Sequence, residues 1–187
     1  VYTVGNQLKE TLKLHTNLDK KQIYEKSVES LKLVGINDPE KRLKQYPFEL
    51  SGGMRQRIMI AIALACQPKL LIADEPTTAL DVTIQAQIMS LIVELNKKLG
   101  MGVILITHDL SVVAETCSRV VVMYLGQVVE EADVDTIFEN PLHPYTNGLI
   151  RSIPQIDGER PKRLFMIKGM VPLLSQIPEG CRFAPRC

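Results

Sequence analysis

The sequence predicts an α/β domain built around a parallel sheet, and three observations predict it. Two short apolar runs, Leu70-Leu71-Ile72-Ala73 and Val103-Ile104-Leu105-Ile106, end at polar clusters, Asp74-Glu75-Pro76 and Thr107-His108-Asp109. Between them, from Asp81 to Leu99, the apolar residues Ile84, Ile88, Leu91/Ile92, Leu95 and Leu99 recur at helical spacing. A strand, a crossover helix and a second strand make neighbouring strands parallel. Unbroken apolar runs of this length, bounded by turn residues, read as strands buried on both faces.

The remaining elements follow along the chain. The first 48 residues read as polar and helical. Asn17 or Asp19 stands as the cap of a helix carrying Ile23, Ser27, Val28, Leu31 and Val34 on one face, with Gly35 as its stop. A second short helix is expected at Pro39, because proline is tolerated in a first turn. Ser51-Gly52-Gly53 opens an apolar helix, Met54 to Cys66, that ends before Pro68. Gly100 closes the helix of the crossover. Arg119 to Tyr124 and Gln127 to Glu131, on either side of Leu125-Gly126, predict a hairpin. After Asn140 the prolines Pro141, Pro144, Pro154, Pro161, Pro172, Pro178 and Pro185 predict a weakly regular tail, with His143 structural in a proline-rich turn.

Composition narrows the class. At 187 residues, 45% hydrophobic and 23% charged, the chain is long enough to bury roughly 70% of its unfolded surface and is far from the disordered extreme. A formal net charge of +1 argues against nucleic acid bound through bulk charge. Four scattered cysteines, Cys66, Cys117, Cys181 and Cys187, do not form a secreted disulfide framework and point to a reducing cytosol. Cys66 and Cys117, in apolar helical surroundings, are expected in the core. The longest unbroken apolar run, Ile58 to Cys66, has nine residues, against about 20 for a spanning helix, so any membrane association is expected through a partner. The absence of an initiator Met and the cysteine-containing end suggest a piece of a longer protein.

The chemistry lies in four clusters. A strand that ends in two acids can hold Asp74 at the Mg²⁺ of a nucleotide and Glu75 beside an attacking water, as general base. An acidic pair there can equally well cap the next turn. Leu50-Ser51-Gly52-Gly53-Met54-Arg55-Gln56-Arg57 offers a hydroxyl and backbone N–H groups to an anion at a helix start, or simply a serine cap followed by small residues. Ala79-Leu80-Asp81 and Thr107-His108-Asp109 complete the set.

In this order and spacing, the four clusters resemble the ATPase subunit of ABC transporters. The fold implied is a truncated P-loop NTPase-like ABC ATPase domain, α/β, with a parallel sheet core, a helical signature subdomain and a Pro-rich C-terminal tail. Its expected divisions are 1–49, part of the helical subdomain; 50–132, the core with signature, Walker B, D-loop and switch histidine; and 133–187, a C-terminal extension. By the resemblance, Ser51, Gly52 and Gly53 belong to the signature that contacts the γ-phosphate of ATP held by the opposite subunit. Asp81 lies in the loop crossing that interface, Asp74 serves Mg²⁺, Glu75 is the base, and His108 is the switch histidine. Met54 stands where many members have glutamine, which suits the peptide-importer branch.

Asn140 to Thr146, Ser152-Ile153-Pro154 and Gly180 to Cys187 resemble the ATPases of oligopeptide and dipeptide importers, a branch that also handles nickel and other solutes. Val1 to Asn6 matches the segment that follows the Q-loop in that group. The resemblance implies a second ATPase subunit, usually a paralogue, two membrane permease subunits contacted through Leu12 to Phe48, and, indirectly, an extracytoplasmic peptide-binding protein. It implies a peripheral place on the cytoplasmic face of the membrane. Some relatives carry further cysteines and an iron–sulfur cluster there, which makes Cys181 and Cys187 candidate iron–sulfur ligands in a full-length protein; two ligands do not close a site, and in this stretch alone free thiols are expected. No G-x-x-x-x-G-K-[ST] occurs in the 187 residues, so this stretch alone is expected to bind ATP poorly and not to hydrolyse it. Two other readings are a DNA-repair or chromosome-type ABC ATPase and a non-catalytic interaction fragment. The first is disfavoured by the lack of sustained heptads and by the His143-Pro144-Tyr145 tail. A permease pull-down tests the second.

Overall fold

The structure is a computed structural model that describes residues 2–153 and 165–187. Pro154 and Pro161 of the proline-rich tail, and Val1, lie outside the described residues. The chain divides into two compact units, Val1–His108 and Asp109–Cys187.

In the first unit, helices α1 (Val4–His15), α2 (Lys20–Leu33), α3 (Pro39–Arg42) and α4 (Gly52–Leu64) precede strand β1 (Leu70–Asp74), helix α5 (Val82–Leu99) and strand β2 (Gly102–Ile106). Of the two candidate caps for α2, Asp19 serves: its Oδ1 accepts from the Lys21 and Gln22 amides, while the Gln22 side chain accepts from the Asp19 amide in return. Gly35, at φ +73°, ends the helix, and the Ile36 amide closes back on the Leu31 carbonyl at 3.0 Å. The core of this region gathers Leu8, Leu12, Leu31, Val34, Ala61 and Leu64, all essentially buried. Arg57 ties α4 to the end of α2 by donating to the Val34 carbonyl at 2.9 Å.

β1 and β2 pair in parallel, from Leu70 opposite Gly102 to Asp74 opposite Ile106. Both strands are expected to be buried on two faces, and they are not. Leu71 and Ala73 are buried, but Leu70, Ile72, Ile104 and Ile106 are 48–61% exposed. An apolar run fixes the character of both faces; whether each is covered depends on neighbouring elements, and within these described residues only one is. Cys66, half-buried with Sγ 4.0 Å from the Thr11 carbonyl, sits at the edge of the core and not inside it.

In the second unit, α6 (Leu110–Thr116) leads into an antiparallel hairpin, β3 (Arg119–Tyr124) and β4 (Gln127–Asp133). Its two-residue turn, Leu125-Gly126, has φ of +47° and +77°, the left-handed pair that matches the twist of the strands. Helices α7 (Val134–Glu139) and α8 (Pro144–Arg151) follow. Among the described residues the tail is regular only at its start, where Pro144 occupies the first turn of α8 and its missing N–H costs nothing; from Phe165 on it holds just the 3-10 turns Leu174–Gln176 and Ala184–Arg186. His143 is correspondingly the helix cap and not a turn residue: its Nδ1 accepts from the Tyr145 amide at 3.1 Å. Cys117, expected in the core, is a half-buried cap at the end of α6.

The C-terminal segment is held by an aromatic cluster. Phe183, 3% exposed, packs edge-on to Tyr124 with centroids 5.3 Å apart and also meets Tyr145 and His143. Arg182 donates to the Leu125 carbonyl, and Arg186 to Tyr124 Oη and to the carbonyls of Ile167 and Lys168. Burial, with Tyr124 alongside, pushes the Tyr145 phenol up, and Arg186 opposes this.

Candidate functional site

The parallel register brings the two polar strand ends together. Asp74 lies opposite Ile106, and the Glu75 amide donates to the Ile106 carbonyl at 2.9 Å. Residues just beyond, Glu75 on one strand and His108 on the other, then meet: His108 Nδ1 lies 2.7 Å from Glu75 Oε1. The second carboxylate oxygen, Oε2, accepts from the Thr78 hydroxyl at 2.7 Å. Thr78 first, and then the His108 ring, hold the Glu75 carboxyl below its ordinary range. A carboxylate at a strand end that stays ionised at neutral pH can accept a proton. With Nδ1 donating to Glu75, a neutral His108 ring has Nε2 as an acceptor, and protonation turns it into a donor.

Glu75 has φ +47°, a left-handed conformation unusual for a residue with a side chain. Ala79, four residues on, has φ +62°. The turn between them is closed by the Thr78 amide on the Glu75 carbonyl and the Leu80 amide on the Thr77 carbonyl, both at 3.2 Å. It delivers the chain to Asp81, whose Oδ1 accepts from the Ile84 amide at 2.9 Å and caps α5. Asp74 is exposed. Among the described residues no group of three or more His, Cys, Asp or Glu side chains is gathered for a metal. One carboxylate at a strand end nevertheless fits Mg²⁺, which is commonly bound by one or two carboxylates together with substrate phosphates and water.

Ser51 caps α4, its Oγ accepting from the Met54 amide at 3.3 Å. That leaves the hydroxyl proton available for an anion. Gly53 is required by packing: a Cβ there would stand 2.9 Å from Cγ2 of Ile84. At Gly52 a Cβ would come within 3.3 Å of Leu80, so the glycine pair seats the start of α4 against the residues flanking Asp81. The structural and the anion-binding readings of this cluster are thus compatible.

Cys181 and Cys187 are free, exposed thiols, and the iron–sulfur expectation finds no support in their surroundings. Sequence reasoning missed Thr78 and Glu130. The signal for Thr78 was its place three residues after the acid, the spacing of a hydroxyl turn. Glu130 Oε1 accepts from the Leu142 amide at 2.7 Å and Oε2 from the His143 amide at 3.0 Å, and nothing in a lone strand acid announced it.

Residues 1–78 match the family described as ABC transporter, and residues 129–187 match the oligopeptide/dipeptide transporter, C-terminal region. The oligopeptide transport ATP-binding protein AppD of Bacillus subtilis (strain 168) is 59% identical over 187 residues, which are 100% of this chain and 57% of that protein. The dipeptide transport ATP-binding protein DppD of Haemophilus influenzae is 58% identical over 186 residues, 100% of this chain and 56% of the relative. Among solved structures, cbiO1 of Clostridium perfringens, part of the ABC transporter complex cbiONQ, aligns with TM-score 0.64 and 32% identity over 74% of this chain and 54% of its own. The dimeric structure of a bacterial ABC transporter cassette aligns with TM-score 0.61 and 30% identity, covering 72% of this chain and 57% of that one. The fold and these matches define an ABC-type ATP-binding domain. More particularly, the chain is similar along its whole length to ATP-binding proteins of oligopeptide and dipeptide transport, and its C-terminal residues match the region found in them. It spans a little over half the length of the curated relatives it matches.

Proposed function

We propose that the protein is the ATP-hydrolysing subunit of an importer of oligopeptides or dipeptides, working on the cytoplasmic face of the membrane. The observation that carries the reading is the contact between Glu75 and His108 at the ends of the paired strands. In this reading Glu75 takes the proton of a water as its oxygen attacks the γ-phosphorus of ATP. The bond to the ADP oxygen breaks, and ADP and phosphate leave. His108 orients Glu75 and the water. The Ser51 hydroxyl and the amides of Gly52 and Gly53 meet the γ-phosphate of ATP held by the opposite subunit, and Asp81 crosses the same interface. Asp74 would hold Mg²⁺, which when bound draws charge from the phosphate oxygens. Such a site works by positioning and charge stabilisation.

The partners in this reading are a second ATPase subunit, a paralogue, and two permease subunits fed by an extracytoplasmic peptide-binding protein. Leu12 to Phe48 is the surface for the permease; Tyr46 and Phe48, exposed and stacked 5.4 Å apart, support that choice. The test is transport by the complete importer in proteoliposomes, with labelled di- and oligopeptides and the binding protein supplied. Peptide accumulation that requires both ATP and Mg²⁺ is expected. ATP turnover without peptide uptake contradicts the assignment.

A further inference from the structure

The backbone turn after Glu75 is already closed by the Thr78 amide on the Glu75 carbonyl. The Thr78 hydroxyl is therefore not needed to make the turn. It is spent on the Glu75 side chain, whose Oε2 it meets at 2.7 Å while His108 Nδ1 holds Oε1 at 2.7 Å. A carboxylate gripped at one oxygen still swings about its last torsion; gripped at both, it has one orientation. Threonine suits this task, because its branched Cβ limits the hydroxyl to few rotamers.

We propose that Thr78 is a positioning residue for hydrolysis, fixing the plane of the Glu75 carboxylate together with His108. The two left-handed residues, Glu75 and Ala79, bracket Thr78 and mark the segment as one held away from its relaxed conformation. Because Asp81 caps α5 two residues after Ala79, any shift of that loop is passed to Glu75 through the same hydroxyl. The inference rests on the proposed role of Glu75 as the base.

The experiment compares Thr78→Val, Thr78→Ser and Glu75→Gln in the complete importer assembly, reading kcat and KM for ATP separately. Thr78→Val is expected to lower kcat about tenfold, the worth of one hydrogen bond, with KM within about twofold of the parent. Thr78→Ser, which keeps the hydroxyl, is expected to restore kcat to within about twofold. Wild-type kcat in Thr78→Val while Glu75→Gln is inactive overturns the role of Thr78 and leaves the base in place. A change in KM alone, or a Ser variant as impaired as Val, also overturns it. Full turnover in Glu75→Gln removes the base itself, and this inference with it.

Discussion

Glu75 and Glu130 each have both carboxylate oxygens occupied, and the two regions around them use the same residue for opposite ends. At Glu75 the donors are side chains, Thr78 and His108, at an exposed strand end. At Glu130 the donors are the amides of Leu142 and His143. Side-chain donors can rotate or change protonation, so the carboxylate they hold remains available for proton transfer. Backbone amides cannot leave without unfolding their segment, so Glu130 acts as a clasp that fixes the start of α8. Partial burial opposes the charge on Glu130, but the amides prevail and hold its carboxyl below the ordinary range. The buried Thr146 hydroxyl nearby also favours the charge, yet makes no hydrogen bond of proper geometry, which leaves the amides as the main cause.

If the second region is purely structural, its largest sensitivity lies in the aromatic cluster. Phe183→Ala empties a site that is 3% exposed and is expected to cost about 3–5 kcal/mol. Limited proteolysis should then cut the C-terminal segment first; resistance equal to the parent's would break the contrast by showing that the cluster holds nothing.

A smaller effect is expected at the clasp. Glu130→Gln keeps the shape but loses the charge-assisted bonds, and about 1–3 kcal/mol of stability at neutral pH is expected to go with them. The folded-state pKa of Glu130 is depressed, so its contribution is fully present above the unfolded carboxyl's pKa and is lost as pH falls through the folded value. Thermal melts of parent and variant should therefore differ at pH 7 and converge in acid. A constant gap across pH would mean that packing, and not the carboxylate, holds α8.

The sequence carried most of the elements because each has local chemistry: Asp19 and Gln22 for α2, Gly100 for the end of α5, and Leu125-Gly126 for the hairpin. The family pattern put Glu75 and His108 in one site, but their contact was not legible, since it depends on a register that pairs Leu70 with Gly102 and Asp74 with Ile106, far apart in the chain. Burial is the property least fixed by local sequence. Leu70, Ile72, Ile104 and Ile106 are apolar, as a two-sided buried strand requires, yet cover belongs to whatever packs against a strand. Helix α8 is hidden because Pro144 looks like a turn residue until it is seen at the first helical position, with His143 as the cap.

The most direct test of the account sets the two glutamates against each other. Steady-state ATP hydrolysis is measured in the complete importer assembly carrying either Glu75→Gln or Glu130→Gln, below the unfolding temperature of both. Turnover is expected to fall by at least about 100-fold in the first, as for loss of a general base, and to stay within about twofold of the parent in the second. Retained turnover in Glu75→Gln, or an equal loss in both, would contradict the placement of the chemistry at the Glu75 strand end.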